Sequence, residues 1–169
     1  YLHIPFCRKR CHFCYFRVYT DKNARDVANY LDTLVREWEL YQEQEALAGR
    51  ALDFVYFGGG TPSFLSTKQL ESLVGRLSEL TPWKNAEEIT FECEPGTLTP
   101  GKLEAIRGSG VTRLSLGIEN FDDRILEVNG RAHRSAEIFT AYETARKLGF
   151  PQVNVDLIGK VVNLASRSA

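Results

Sequence analysis

Apolar positions along the chain change their period several times, and each change marks an element. Residues 1–6 form an apolar run that ends at Cys7, a short strand. Val27, Tyr30, Leu31, Leu34, Val35, Trp38 and Tyr41 then recur at the spacing of one helix face, which predicts a helix over 24–48 closed by Gly49, with Trp38 and Tyr41 in the core. Residues 52–57 are a β-rich run halted by Gly58, Gly59 and Gly60. Ser66 with Gln69 three residues later makes a capping box for a helix carrying Leu70, Leu73, Val74 and Leu77. Further strands are predicted over 88–93, 113–119 and 152–158. Between them Thr99 and Pro100 open a short helix, and residues 121–128 and 135–148 are helical.

Five strands separated by helices argue for parallel βα units and an α/β fold. The alternation within the later strands refines this. Ile89, Phe91 and Cys93 oppose Thr90 and Glu92; Leu114, Leu116 and Ile118 oppose Arg113, Ser115, Gly117 and Glu119; Val153, Val155 and Leu157 oppose Asn154 and Asp156. Strands of an open doubly wound sheet are apolar on both faces, so one polar face points to a barrel whose lumen is used. Glu92, Glu119 and Asp156 fall near the C-terminal strand ends, where (β/α) barrels carry chemistry. A complete barrel takes roughly 250 residues, so five units make a partial (β/α) barrel of parallel strands.

A chain of 169 residues with 43% hydrophobic and 25% charged residues is an ordinary globular domain, expected as a core over 1–158 followed by a tail over 159–169 without recognisable motif. Both ends read as cut, and the core as truncated at about five units. A net charge of −1 and no long run of Lys or Arg give no footprint for nucleic acid. Without an 18-residue apolar stretch or a signal-peptide pattern, a membrane span is not expected and the cytoplasm is, where thiols stay reduced.

Three of the four cysteines lie within eight residues, as Cys7, Cys11 and Cys14 in a C-x3-C-x2-C loop directly after the first strand. That suits metal binding better than a disulfide framework. Three thiolates on a [4Fe–4S] cube leave one iron open to a chelating ligand. A structural zinc held by Cys7, Cys11, Cys14 and His12 is the alternative.

These residues carry a family resemblance. The segment from Tyr1 to Cys14, the run Gly58, Gly59, Gly60, Thr61, Pro62, Ser63, the stretch from Glu92 to Thr97, Arg113 to Gly117, Asn129-Gly130-Arg131 and Asn154 to Ile158 stand in the order and at the gaps of one family. Together the chain resembles the radical S-adenosylmethionine family of oxygen-independent coproporphyrinogen III oxidase and its haem-chaperone relatives. The resemblance implies a radical SAM core. It implies a [4Fe–4S] cluster on Cys7, Cys11 and Cys14, with S-adenosylmethionine on the open iron, cleaved reductively to a 5′-deoxyadenosyl radical. It further implies cosubstrate contacts from Gly59, Gly60, Thr61, Glu92, Glu119, Arg131 and Asp156, with Tyr1 near the cluster. Its partners are a small-molecule substrate, a tetrapyrrole among the candidates, and an electron donor such as flavodoxin or ferredoxin. The resemblance designates no catalytic side chain.

The departures bear on substrate. The oxidases carry a fourth cysteine two residues after the third, where this chain has Phe16; the haem-chaperone relatives also lack it. Glu119 stands where the family has Gln, and Gly159, Lys160, Val161 and Val162 replace a Gly-Pro-containing loop. Three readings follow: a radical oxidoreductase, a haem-binding chaperone with the same core, and an inactive metal-binding fragment. Cys93 is expected in the core facing the helices. His133 is expected to be solvated on a polar loop, and Arg8, Lys9 and Arg10 on a solvent-facing one.

Overall fold

The computed structural model describes residues 1–45 and 48–158. Its centre is a five-stranded sheet, β1 (Leu2–Ile4), β2 (Phe54–Gly59), β3 (Glu88–Cys93), β4 (Arg113–Glu119) and β5 (Gln152–Leu157), ordered as in sequence with every neighbouring pair parallel. Crossovers between parallel strands are right-handed, so strands added always on the same side place all connecting helices on one face. The other face stays free for a site. This sequential winding is that of a partial (β/α) barrel, without the reversal of strand order in doubly wound sheets.

Side-chain period two then divides the sheet. Ile89, Phe91, Cys93, Leu114, Leu116 and Ile118 are buried against the helices α1 (Ala24–Gln42), α2 (Thr67–Leu80) and α3 (Pro100–Gly108), with α4 (Asp123–Val128) and α5 (Ser135–Lys147) completing the layer. Leu31 and Val35 of α1, Leu70, Leu73 and Leu77 of α2, and Leu103 and Ile106 of α3 supply the facing stripes. Phe57 of β2 packs 5.1 Å from Phe91 and edge-on to Trp83. Cys93 is a core thiol facing this layer, as its register requires.

Strand β3 begins and ends at the expected residues, as does β4, and both helix caps read from sequence are made: Ser66 with Gln69 at α2, and Thr99 accepting from the Lys102 N–H at α3. Other details differ. Helix α1 starts at Ala24, behind the Asn23 and Asp26 capping box, and stops at Gln42, because Gln42, Glu43, Gln44 and Glu45 offer no apolar face to bury. Residues 46–47 of the expected helix lie outside the described residues. Trp38 packs against the core, its indole N–H donating to Thr81 at 3.0 Å, while Tyr41, one residue from the helix end, is exposed. Strand β2 runs on through Gly58 and Gly59, which pair with His3 and Ile4 where a stop was expected. Among the described residues, no helix is long and apolar enough to cross a membrane.

Candidate functional site

At the C-terminal ends of the strands lies a pocket of about 300 Å³, lined by Cys7, Cys11, Cys14, Gly59, Gly60, Thr61, Glu92, Glu119, Arg131 and Asp156 among others. Ten of the eleven site residues expected from sequence therefore share one cavity. Tyr1 does not line it. Its ring stacks on Tyr56 and its hydroxyl meets His3 Nδ1 at 3.2 Å, one residue removed from the pocket wall.

The cysteine loop follows β1 because Pro5 ends the strand: it has no N–H to donate to a neighbour. The loop is then held from several directions. Tyr19 N donates to Pro5 O and Cys7 N to Tyr19 O, while His12 N donates to Asn129 O. Arg8 donates to Gly96 O and Ala132 O, and Arg10 to Cys14 O at 3.1 Å. The basic loop residues are exposed as expected, yet Arg8 and Arg10 also fasten the loop to its surroundings. His12 is turned away, with Nδ1 2.7 Å from Val128 O. Among the described residues, no three Cys, His, Asp or Glu side chains gather closely enough to hold a metal ion.

The glycine run is required by the chain itself. Gly59 has φ +112, and a Cβ there would stand 2.7 Å from the His3 ring; a Cβ on Gly60 would stand 3.0 Å from Cys7 Sγ. The Thr61 hydroxyl donates to Cys7 Sγ at 3.2 Å, with both residues buried. Burial pushes the Cys7 thiol up, and the Thr61 hydroxyl and the Arg131 charge work against that.

Of the carboxylates, Glu92 accepts from the Tyr56 hydroxyl at 2.5 Å and from Gly59 N at 3.2 Å. Burial raises its pKa and Asp156 adds repulsion, while those two hydrogen bonds favour the ionised form. Asp156 accepts from Ser115 Oγ and Asn154 Nδ2, both at 2.8 Å. Glu119 sits at a register shift between β4 and β5 with φ 63, in the left-handed region, and its carboxylate folds back over Gly117. Burial raises its pKa as well, opposed by Arg131. Arg131 donates to Gly117 O and, at 3.1 Å, to Cys11 Sγ, and stands 3.8 Å from Glu119.

Sequence reasoning missed a buried pair. His133, expected in solvent, is fully buried, with Nδ1 2.7 Å from Glu94 Oε1 and Nε2 3.3 Å from Ile118 O. Burial raises the Glu94 pKa, but His133, Gly96 N–H and Arg131 outweigh it and leave the carboxyl below its usual range. The signal available was the spacing of His133 two residues beyond Arg131, which folds both back onto the end of β4.

A sequential parallel sheet with three cysteines after its first strand and charged groups on its free face defines a class. The sequence matches the Radical SAM superfamily over residues 1–164, and the chain belongs to that superfamily. It is 36% identical over 159 residues to the haem chaperone HemW of Bacillus subtilis (strain 168), covering 94% of this chain and 41% of that protein. It is 33% identical over 158 residues to the oxygen-independent coproporphyrinogen III oxidase of Escherichia coli (strain K12), covering 94% and 34%. Among solved structures, coproporphyrinogen III oxidase (HemN) from Escherichia coli, a radical SAM enzyme, matches with a TM-score of 0.84 at 31% identity, over 95% of this chain and 36% of that one. The chain thus spans 34% to 41% of the length of these two curated relatives.

Proposed function

We propose that Cys7, Cys11 and Cys14 hold a [4Fe–4S] cluster whose open iron takes S-adenosylmethionine, and that the chain uses the pair to start radical chemistry on a small molecule. The observation that carries this reading is the shared pocket, which places all three thiols beside Glu92, Glu119, Arg131 and Asp156. When bound, the cluster supplies one electron to the sulfonium, whose cleavage yields methionine and a 5′-deoxyadenosyl radical able to take hydrogen from substrate.

The chain's own groups suit that ligand pair. Two buried polar atoms at the pocket, Arg131 Nε and Glu94 Oε2, have no partner among the described residues. Such atoms cost free energy unless a ligand meets them. A cosubstrate bearing a carboxylate and an ammonium offers an acceptor to the one and a donor to the other. The carboxylates of Glu92, Glu119 and Asp156 accept from ribose hydroxyls or the ammonium, and Thr61 steadies Cys7 from behind.

A second reading is favoured by Phe16. It occupies the position of the oxidases' fourth cysteine, and the haem chaperone HemW is among the relatives. On that reading the same core serves haem binding. Anaerobic incubation of the reconstituted protein with S-adenosylmethionine and dithionite separates the two: turnover to 5′-deoxyadenosine supports the enzyme, while specific haem binding with little turnover supports the chaperone. Stoichiometric zinc with no competence for iron contradicts both.

A further inference from the structure

Glu119 is held in a conformation that its own residue type disfavours. It is the only non-glycine residue with positive φ among the described residues. A left-handed backbone at such a residue is strained and persists where the surroundings fix it. The carbonyls around it show what does so. Arg131 donates to Gly117 O, Asn120 N to Ile118 O at 2.7 Å, and Ile158 N to Glu119 O at 3.1 Å. The His133 ring brings Nε2 to 3.3 Å from Ile118 O. Arg131 and His133 belong to one loop, so a single segment grips two successive carbonyls at the end of β4.

His133 is itself fixed. It is fully buried, and Glu94 Oε1, 2.7 Å from Nδ1, is in turn set by the Gly96 N–H at 3.1 Å. A continuous chain therefore runs from the exit of β3 through Glu94 and His133 to the peptide before Glu119. We infer that His133 is a positioning residue: it clamps the Ile118 carbonyl so that the left-handed turn at Glu119 aims that carboxylate into the pocket. The inference rests on the proposed reading in which Glu119 contacts S-adenosylmethionine.

Two isosteric variants divide the two bonds of the ring. The amide of His133→Asn falls near Nδ1 and keeps Glu94 but loses Ile118; the amide of His133→Gln falls near Nε2 and keeps Ile118. S-adenosylmethionine affinity is measured on the reconstituted full chain for both, for Glu119→Ala, and for Glu119→Ala combined with His133→Asn. His133→Asn is expected to weaken binding by about tenfold, the scale of one hydrogen bond, with His133→Gln closer to wild type. In the Glu119→Ala background the loss from His133→Asn should vanish. An equal loss in both backgrounds, or wild-type affinity in His133→Asn, overturns the inference.

Hydrogen exchange at residues 118–120, without S-adenosylmethionine, reads the clamp independently of the ligand. Faster exchange there in His133→Asn, with residues 88–93 unchanged, supports the clamp, and unchanged exchange overturns it. Should Glu119→Ala bind as tightly as wild type, the cosubstrate role of Glu119 fails while exchange still decides the clamp. Glu94→Gln, a milder disturbance of the same chain, is expected to speed exchange at the same residues, and no change in it also counts against the clamp.

Discussion

The guanidinium of Arg131 lies 3.1 Å from the sulfur of Cys11, a residue 120 positions earlier in the chain. That contact joins the loop after β4 to the loop after β1. It also places a fixed positive charge beside that sulfur and within 3.8 Å of Glu119.

Arg131 is therefore expected to act on both ligands of the proposed site. Losing a charged hydrogen bond costs about 1.5–3 kcal/mol, so Arg131→Ala should weaken S-adenosylmethionine binding roughly ten- to a hundredfold. Iron content should stay at wild-type level, because Arg131 supplies no ligand, while the spectrum of the reduced cluster shifts. Calorimetric titration with iron analysis checks both, and unchanged affinity would show that the guanidinium faces away from the cosubstrate.

Gly59→Ala tests the glycine run. Its φ of +112 disfavours any side chain, and the added carbon would stand 2.7 Å from the His3 ring. We expect a loss of about 2 kcal/mol or more, visible in urea unfolding of the cluster-free protein. Gly75→Ala, in α2 with open space around it, should be neutral or stabilising.

The free face of the sheet carries a pH dependence. Burial raises the Glu119 pKa, so the folded chain holds that proton more tightly than the unfolded chain does. Stability from this group is present below the ordinary glutamate value and declines as pH rises through the elevated folded one. Glu119→Gln removes the ionisation. In the cluster-free protein it should raise Tm relative to wild type at pH 7 and lose that advantage toward pH 4. Equal differences at both pH values would contradict the burial argument.

Much of this was legible in the sequence wherever a strict period governed the outcome. Alternation located β3 and β4 to the residue, sent Cys93 to the core and gathered Glu92, Glu119 and Asp156 on the free face. Periodicity failed where contacts are non-local. His133 reads as a polar loop residue until the fold brings Glu94 and the Ile118 carbonyl against it. Glycine composition hid the end of β2, since a strand is defined by pairing with His3 and Ile4 and not by its own side chains. Tyr41 kept the helical stripe but lies where little packs against it.

The most direct test of the proposed site is electron paramagnetic resonance of the anaerobically reconstituted, dithionite-reduced chain, recorded before and after adding S-adenosylmethionine. The account predicts a [4Fe–4S]⁺ signal that changes shape on addition. The signal should be absent in Cys7→Ala, Cys11→Ala and Cys14→Ala and retained in Cys93→Ala, whose thiol is buried against the helices. A signal indifferent to S-adenosylmethionine, or one that survives loss of any of the three loop cysteines, would contradict it.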